Sequence, residues 1–201
     1  MKKKLSFILA AACVLVFAYL YAHIDKNTYL YDRNTDSADF IGTGILKEGE
    51  EITQTFTCAE DSLDGINLKA TLVGAAEHVN VEYSLVDAES GDEVRTASVP
   101  GSEINHNKFN KLSFQPLAGT AGKSYILKLK ESGSDDITGV SFYLTSGDEY
   151  QEKLSIKGNE TKGMLIVRLV THRFDLETFI VLLGIVAFIV GFMKILYKLF
   201  Q

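Results

Sequence analysis

Chemistry in this chain would have to come from very few side chains. Histidine occurs at four positions, 23, 78, 106 and 172, and no two of them have the His-Glu-x-x-His or similar spacing that sets imidazoles on one metal ion. The sequence has no Gly-x-Ser-x-Gly nucleophile elbow and no glycine-rich phosphate loop, and no two carboxylates stand out as an acid and base pair. Glu60-Asp61 with Asp64, and Asp135-Asp136, could offer oxygens to a structural calcium ion, but Asp at such places equally makes turns. Cys58 falls on the apolar side of a strand with no His or basic pair beside it, so it reads as a buried structural thiol rather than a nucleophile. No cofactor is expected, calcium being the one candidate, and the chain reads as non-enzymatic. A hydrolase site built from distant residues would leave no such local signature.

Binding leaves a different trace. Sandwich domains that hold sugars use flat aromatic rings and a few polar groups, and Trp is absent here. Tyr83, Tyr125 and Phe142 point inward by their place in alternating runs and belong to a core, which leaves Tyr143 and Tyr150 as the aromatic candidates for ligand contact. His78 beside Glu77, and His106 within Asn105-His106-Asn107, are expected on exposed loops.

The elements that must position these residues are strands. Ile52, Gln54, Phe56 and Cys58 form one face against Thr53, Thr55 and Thr57, and Ile66, Leu68, Ala70 and Leu72 repeat the period of two. Val79 to Leu85 alternates likewise and ends at Glu89-Ser90-Gly91-Asp92, a turn leading to Val94, which signals a hairpin. Further strands are expected at 112–114, 124–130, 140–144, 154–156 and 164–170, separated by Gly-, Ser- and Asp-rich breaks. No long amphipathic helix interrupts them, so an α/β fold is disfavoured and an all-β antiparallel sandwich of jelly-roll type is expected over 39–173. The Asp-, Asn- and Tyr-rich stretch 23–38 has no clear period and reads as a juxtamembrane stalk.

Both ends are apolar. Leu5 to Ala22 runs 18 residues without a charge, about 27 Å of helix, and the segment 1–22 reads as a transmembrane anchor. The segment 175–200 reads as a second transmembrane helix, in which Lys194 and Lys198 can snorkel to the interface. Leu20-Tyr21-Ala22 could also end a cleaved signal peptide, and Ala10-Ala11-Ala12-Cys13 faintly resembles an acylation site. Lys2, Lys3 and Lys4 before the first segment, with Lys194 and Lys198 ending the second, place both termini in the cytoplasm of a cell-membrane protein and the middle outside. Only a few residues then lie inside, so any signalling is expected to run through a partner. Ala18 with Ala22, and Ala187 with Gly191, are small-x-x-x-small pairs suited to helix–helix contact. Between Asp25 and Glu177 there are 15 Lys and Arg against 26 Asp and Glu, and a net of 15 minus 26, or −11, argues against nucleic acid as a partner.

Several stretches carry a likeness beyond fold class. Ile52-Thr-Gln-Thr-Phe56, Leu63-Asp-Gly-Ile-Asn-Leu-Lys-Ala-Thr71, Phe114-Gln-Pro-Leu117, Gly122-Lys-Ser-Tyr125, and Asp148-Glu-Tyr150 running into Leu154-Ser-Ile-Lys-Gly158 resemble the jelly-roll modules of bacterial membrane proteins of cell-surface polysaccharide assembly. The resemblance covers about residues 45 to 170 and implies a carbohydrate-binding-like sandwich, with no catalytic residues to carry over. Those modules usually accompany a many-span enzyme, whereas this chain has two apolar segments and no transferase portion. The expectation is an accessory protein whose exterior sandwich binds a glycan or a glycan-assembly protein near the bilayer. The alternative is a structural or regulatory subunit that meets a membrane-protein partner through its helices.

Overall fold

A computed structural model describes residues 2–147 and 150–200. Asp148 and Glu149, part of the family-like stretch, lie outside them. The chain divides into two compact units, Asn27–Thr171 and a second made of the ends up to Lys26 and from His172.

In chain order the elements are α1 (Lys2–Tyr21), β1 (His23–Tyr29), β2 (Ile41–Gly42), β3 (Ile52–Thr57), β4 (Ser62–Val73), β5 (Asn80–Asp87), β6 (Glu93–Pro100), β7 (Lys108–Ala118), β8 (Ser124–Ser132), β9 (Gly139–Thr145), β10 (Leu154–Ile156), β11 (Asn159–Thr161), β12 (Met164–Leu165), β13 (Val167–Phe174) and α2 (Leu176–Leu199). The strands form two antiparallel sheets. One has seven strands, in the order β1-β13-β4-β9-β12 with β2 on β9 and β7 on β4; the other has six, in the order β11-β10-β3-β8-β5-β6.

Alternation explains why the two sheets face each other. Ile66, Leu68, Ala70, Phe142 and Leu169 come from the first sheet, Ile52, Phe56, Leu85, Leu127 and Leu129 from the second, and all belong to one buried cluster. Fully burying each large apolar side chain is worth about 1.5–3 kcal/mol, and since both cysteines are free no disulfide adds to this. Gln54 is polar on an inward position and 0% exposed. Its Nε2 donates to the carbonyls of Thr55 and Lys153 and its Oε1 accepts from Leu165 N at 3.1 Å, so every polar atom of the amide is used. The Glu89-Ser90-Gly91-Asp92 turn joins β5 to β6 as its sequence demands. Asp87 Oδ1 accepts from the amides of Glu89 and Ser90, and Gly91 takes a φ of +77°.

Two expectations are corrected. The stretch 23–38 is not a stalk throughout, because His23–Tyr29 is a sheet strand on β13 and Tyr31 is buried. A strand at a sheet edge is held by backbone hydrogen bonds, which its polar side chains neither require nor advertise. The second correction concerns spans. Among the described residues one helix, α2, is long and apolar enough to cross a membrane, while in α1 the apolar part is Ile8–Tyr21.

In the helical unit Asp175 caps α2, its carboxylate accepting from the amides of Glu177 and Thr178. Ala18 and Ala22 are buried there, and the Ala22 carbonyl accepts from Asp175 N at 2.8 Å. Rings of Tyr19, His23, Phe174 and Phe179 touch one another at centroid distances of 4.5 to 5.6 Å. Ala187 is exposed, and nothing lies within 4 Å of where a Cβ on Gly191 would sit.

Candidate functional site

The outer face of the seven-stranded sheet carries a second apolar cluster, separate from the core. Tyr31, Met164 and Ile166 are buried in it, with Tyr29, Phe40, Phe109, Tyr143 and Tyr150 packed half-exposed around them. The register builds this face. Lys69 on β4 lies opposite Phe109 on β7, and Asn67 lies opposite Arg168 on β13. These residues alternate with Leu68, Ala70 and Val167, which point to the core, so they must point away from it. At Ile166 the chain switches neighbours, its amide donating to Tyr143 O at 2.7 Å and its carbonyl accepting from Lys69 N at 3.0 Å. That step brings β9, and with it Tyr143, beside the Lys69 row.

Cations and rings interleave across the face. The Arg168 guanidinium carbon lies 3.5 Å from the centroid of Phe109 and 4.6 Å from that of Tyr29, whose ring also has Arg33 at 4.5 Å. Lys69 Nζ stands 5.2 Å from Phe40, 5.6 Å from Tyr143 and 5.9 Å from Phe109. Such contacts are each worth about 0.5–2 kcal/mol, more as water is excluded. Asn67 Nδ2 on β4 donates to Asn27 Oδ1 on β1 at 2.8 Å, across the intervening β13.

The two tyrosines singled out from sequence both fall here. Tyr143 donates from its hydroxyl to Asn107 Oδ1 at 2.5 Å, and Tyr150 accepts at its hydroxyl from Asp32 N at 3.2 Å. Sequence reasoning missed Tyr29, Phe40, Lys69, Phe109 and Arg168. Lys69 and Arg168 occupy outward positions in readable alternation, but only the strand order shows that they share one row. Tyr29 and Phe40 lay in or next to the stretch read as a stalk.

The other candidates go elsewhere. Burial pushes the Cys58 thiol up to about 11 despite a hydrogen bond with Thr120, which makes it inert as a nucleophile near neutrality. His78 and His106 are exposed. His172 Nδ1 meets Asp25 Oδ1 at 2.9 Å in the helical unit. Asp135 Oδ1 accepts from the amides of Ile137 and Thr138, so that loop carboxylate closes a turn, and Asp136 pairs with Lys47 at 2.5 Å. Among the described residues no group of three or more His, Cys, Asp or Glu side chains is placed to hold a metal ion.

One buried acid stands apart. Glu131 on β8 is 5% exposed and its carboxylate accepts from Leu46 N at 3.2 Å and Val140 N at 2.9 Å. Burial pushes its pKa up to about 6, against the pull of those two amides.

An antiparallel two-sheet protein with a ring-and-cation outer face and a membrane-length apolar helix is the class that this arrangement defines. No protein-family model matches the sequence, and no curated protein is significantly similar to it.

Proposed function

We propose that this protein is a non-enzymatic, membrane-anchored accessory protein whose jelly-roll-like sandwich binds a glycan outside the membrane. The supporting observation is the cluster of half-exposed rings, Tyr29, Phe40, Phe109, Tyr143 and Tyr150, on a sheet face that the core does not need. Rings of this kind stack on the apolar faces of sugars, while neighbouring amides such as Asn67 can meet their hydroxyls. The likeness to modules of polysaccharide assembly favours the same ligand class. Membrane attachment rests on α2, and Lys194 and Lys198 near its end favour a cytoplasmic C-terminal side and an exterior sandwich.

Calorimetric titration of the full chain, held in neutral detergent, with envelope oligosaccharides tests the reading. Saturable binding that drops at least tenfold in Tyr29→Ala and Phe109→Ala is expected. Heat that is absent, or unchanged in both variants, would remove the glycan role. A second reading, a subunit that joins a membrane complex through its helices, is favoured by the open Ala187–Gly191 surface of α2. Co-purification of a membrane partner that survives deletion of residues 27–171 and is lost in Gly191→Leu is its expected mark.

A further inference from the structure

Arg168 is held in an unusual way. Of the buried side-chain nitrogen and oxygen atoms described, only its Nε lacks a hydrogen-bond partner. Leaving a buried donor unmade costs about 1–3 kcal/mol, more for a charged group. Lys69 and Arg33 stand over rings of the same cluster, which gathers three cations in a chain whose stretch from Asp25 to Glu177 holds 26 Asp and Glu against 15 Lys and Arg.

We propose that the outer face of the seven-stranded sheet is an anion-selective subsite for a glycan bearing carboxylate or phosphate groups, with Arg168 and Lys69 as the two charge contacts. The inference rests on the glycan reading above and narrows it. Arg168 lies over Phe109 and next to Tyr29, which fixes the plane of the guanidinium at little cost in side-chain freedom. A guanidinium so held presents the fork that a carboxylate or phosphate accepts in bidentate fashion. Lys69 supplies a second, less directional charge beside Tyr143 and Phe40, whose rings offer stacking area for the sugar that carries the anion.

The test is a panel of uronic-acid oligosaccharides, each paired with its carboxyl-reduced form, and phosphorylated oligosaccharides paired with dephosphorylated ones, titrated into the full chain in neutral detergent. At least one acidic member is expected to bind tenfold or more tightly than its neutral pair and to weaken as salt rises. Arg168→Gln should bring the ratio of acidic to neutral affinity down to about one, with Lys69→Gln as a second variant should the first unfold. If acidic and neutral members of every pair bind alike, the anion subsite is wrong and the glycan reading stands. Binding to none of them overturns both. Binding to phosphatidylglycerol vesicles but to no acidic glycan assigns the face to lipid headgroups and overturns the glycan source.

Discussion

The outer faces of the two sheets obey the same alternation and yet are made of different residues. On the six-stranded sheet, outward positions carry Thr53, Thr55 and Thr57 of β3, Lys128 and Lys130 of β8 and Glu82 and Ser84 of β5. Glu82 lies directly across from Lys130, which also reaches Glu51 at 3.6 Å, and Glu93 accepts a hydrogen bond from Thr96. Charges there are neutralised by neighbours, small hydroxyls fill the gaps, and no aromatic ring interrupts them. The seven-stranded sheet sets large rings around Arg168, Lys69 and Arg33. A face of the first kind is content in water and needs no partner. A face of the second kind leaves apolar area and donor groups unsatisfied, which is what a binding surface must do before its ligand arrives.

The sharpest contrast lies within one strand. On β9, Phe142 is 1% exposed and points to the core while Tyr143 points outward. Phe142→Ala should cost about 3–5 kcal/mol in urea unfolding of the detergent-held chain. Tyr143→Ala should cost roughly 1 kcal/mol, the worth of one hydrogen bond to Asn107 and a half-buried ring. Equal losses would mean that the outer ring is a structural element rather than a contact surface.

Glu131 sharpens the inner side of the comparison through pH. Its folded pKa, about 6, lies above the ordinary carboxyl value of 4.5. The native state therefore holds the proton more tightly than the unfolded chain, and the sign is opposite to that of a salt-bridged acid. Its contribution is fully present below about pH 4.5 and is lost as pH rises through about 6, a change of about 2 kcal/mol. Glu131→Gln should flatten this descent between pH 4.5 and 6.5 in unfolding curves. A wild-type curve that rises across that window with the same slope as the variant's would contradict the assignment. At the small end, Thr55→Ala on the six-stranded sheet should alter stability by no more than about 0.5 kcal/mol and leave glycan affinity unchanged. A loss of binding there would move the site to the other face.

Much of this architecture was legible in the residues. Period-two runs placed Phe56, Leu68, Leu127 and Phe142 in the core, and the Glu89-Ser90-Gly91-Asp92 turn placed the β5–β6 hairpin. Tyr143 and Tyr150 were likewise separable from the inward tyrosines. Three things were hidden. β1, His-Ile-Asp-Lys-Asn-Thr-Tyr, has no alternation of apolar and polar residues, and an edge strand needs only a neighbour's backbone, so no pattern marks it. Arg168 lies opposite Asn67 one strand from Phe109, and sequence periodicity gives the face of a residue but not its neighbours across the sheet. The first apolar segment is long when read as letters, while among the described residues its apolar helical part is Ile8–Tyr21.

Hydroxyl-radical footprinting of the full chain, with and without the tightest-binding oligosaccharide, tests the central claim most directly. Oxidation of Tyr29, Phe109 and Tyr143 should fall several-fold on binding, while Ile126 on the outer face of the six-stranded sheet stays unchanged. Protection of Ile126 with the three rings unaffected would place the ligand on the wrong sheet and contradict the account.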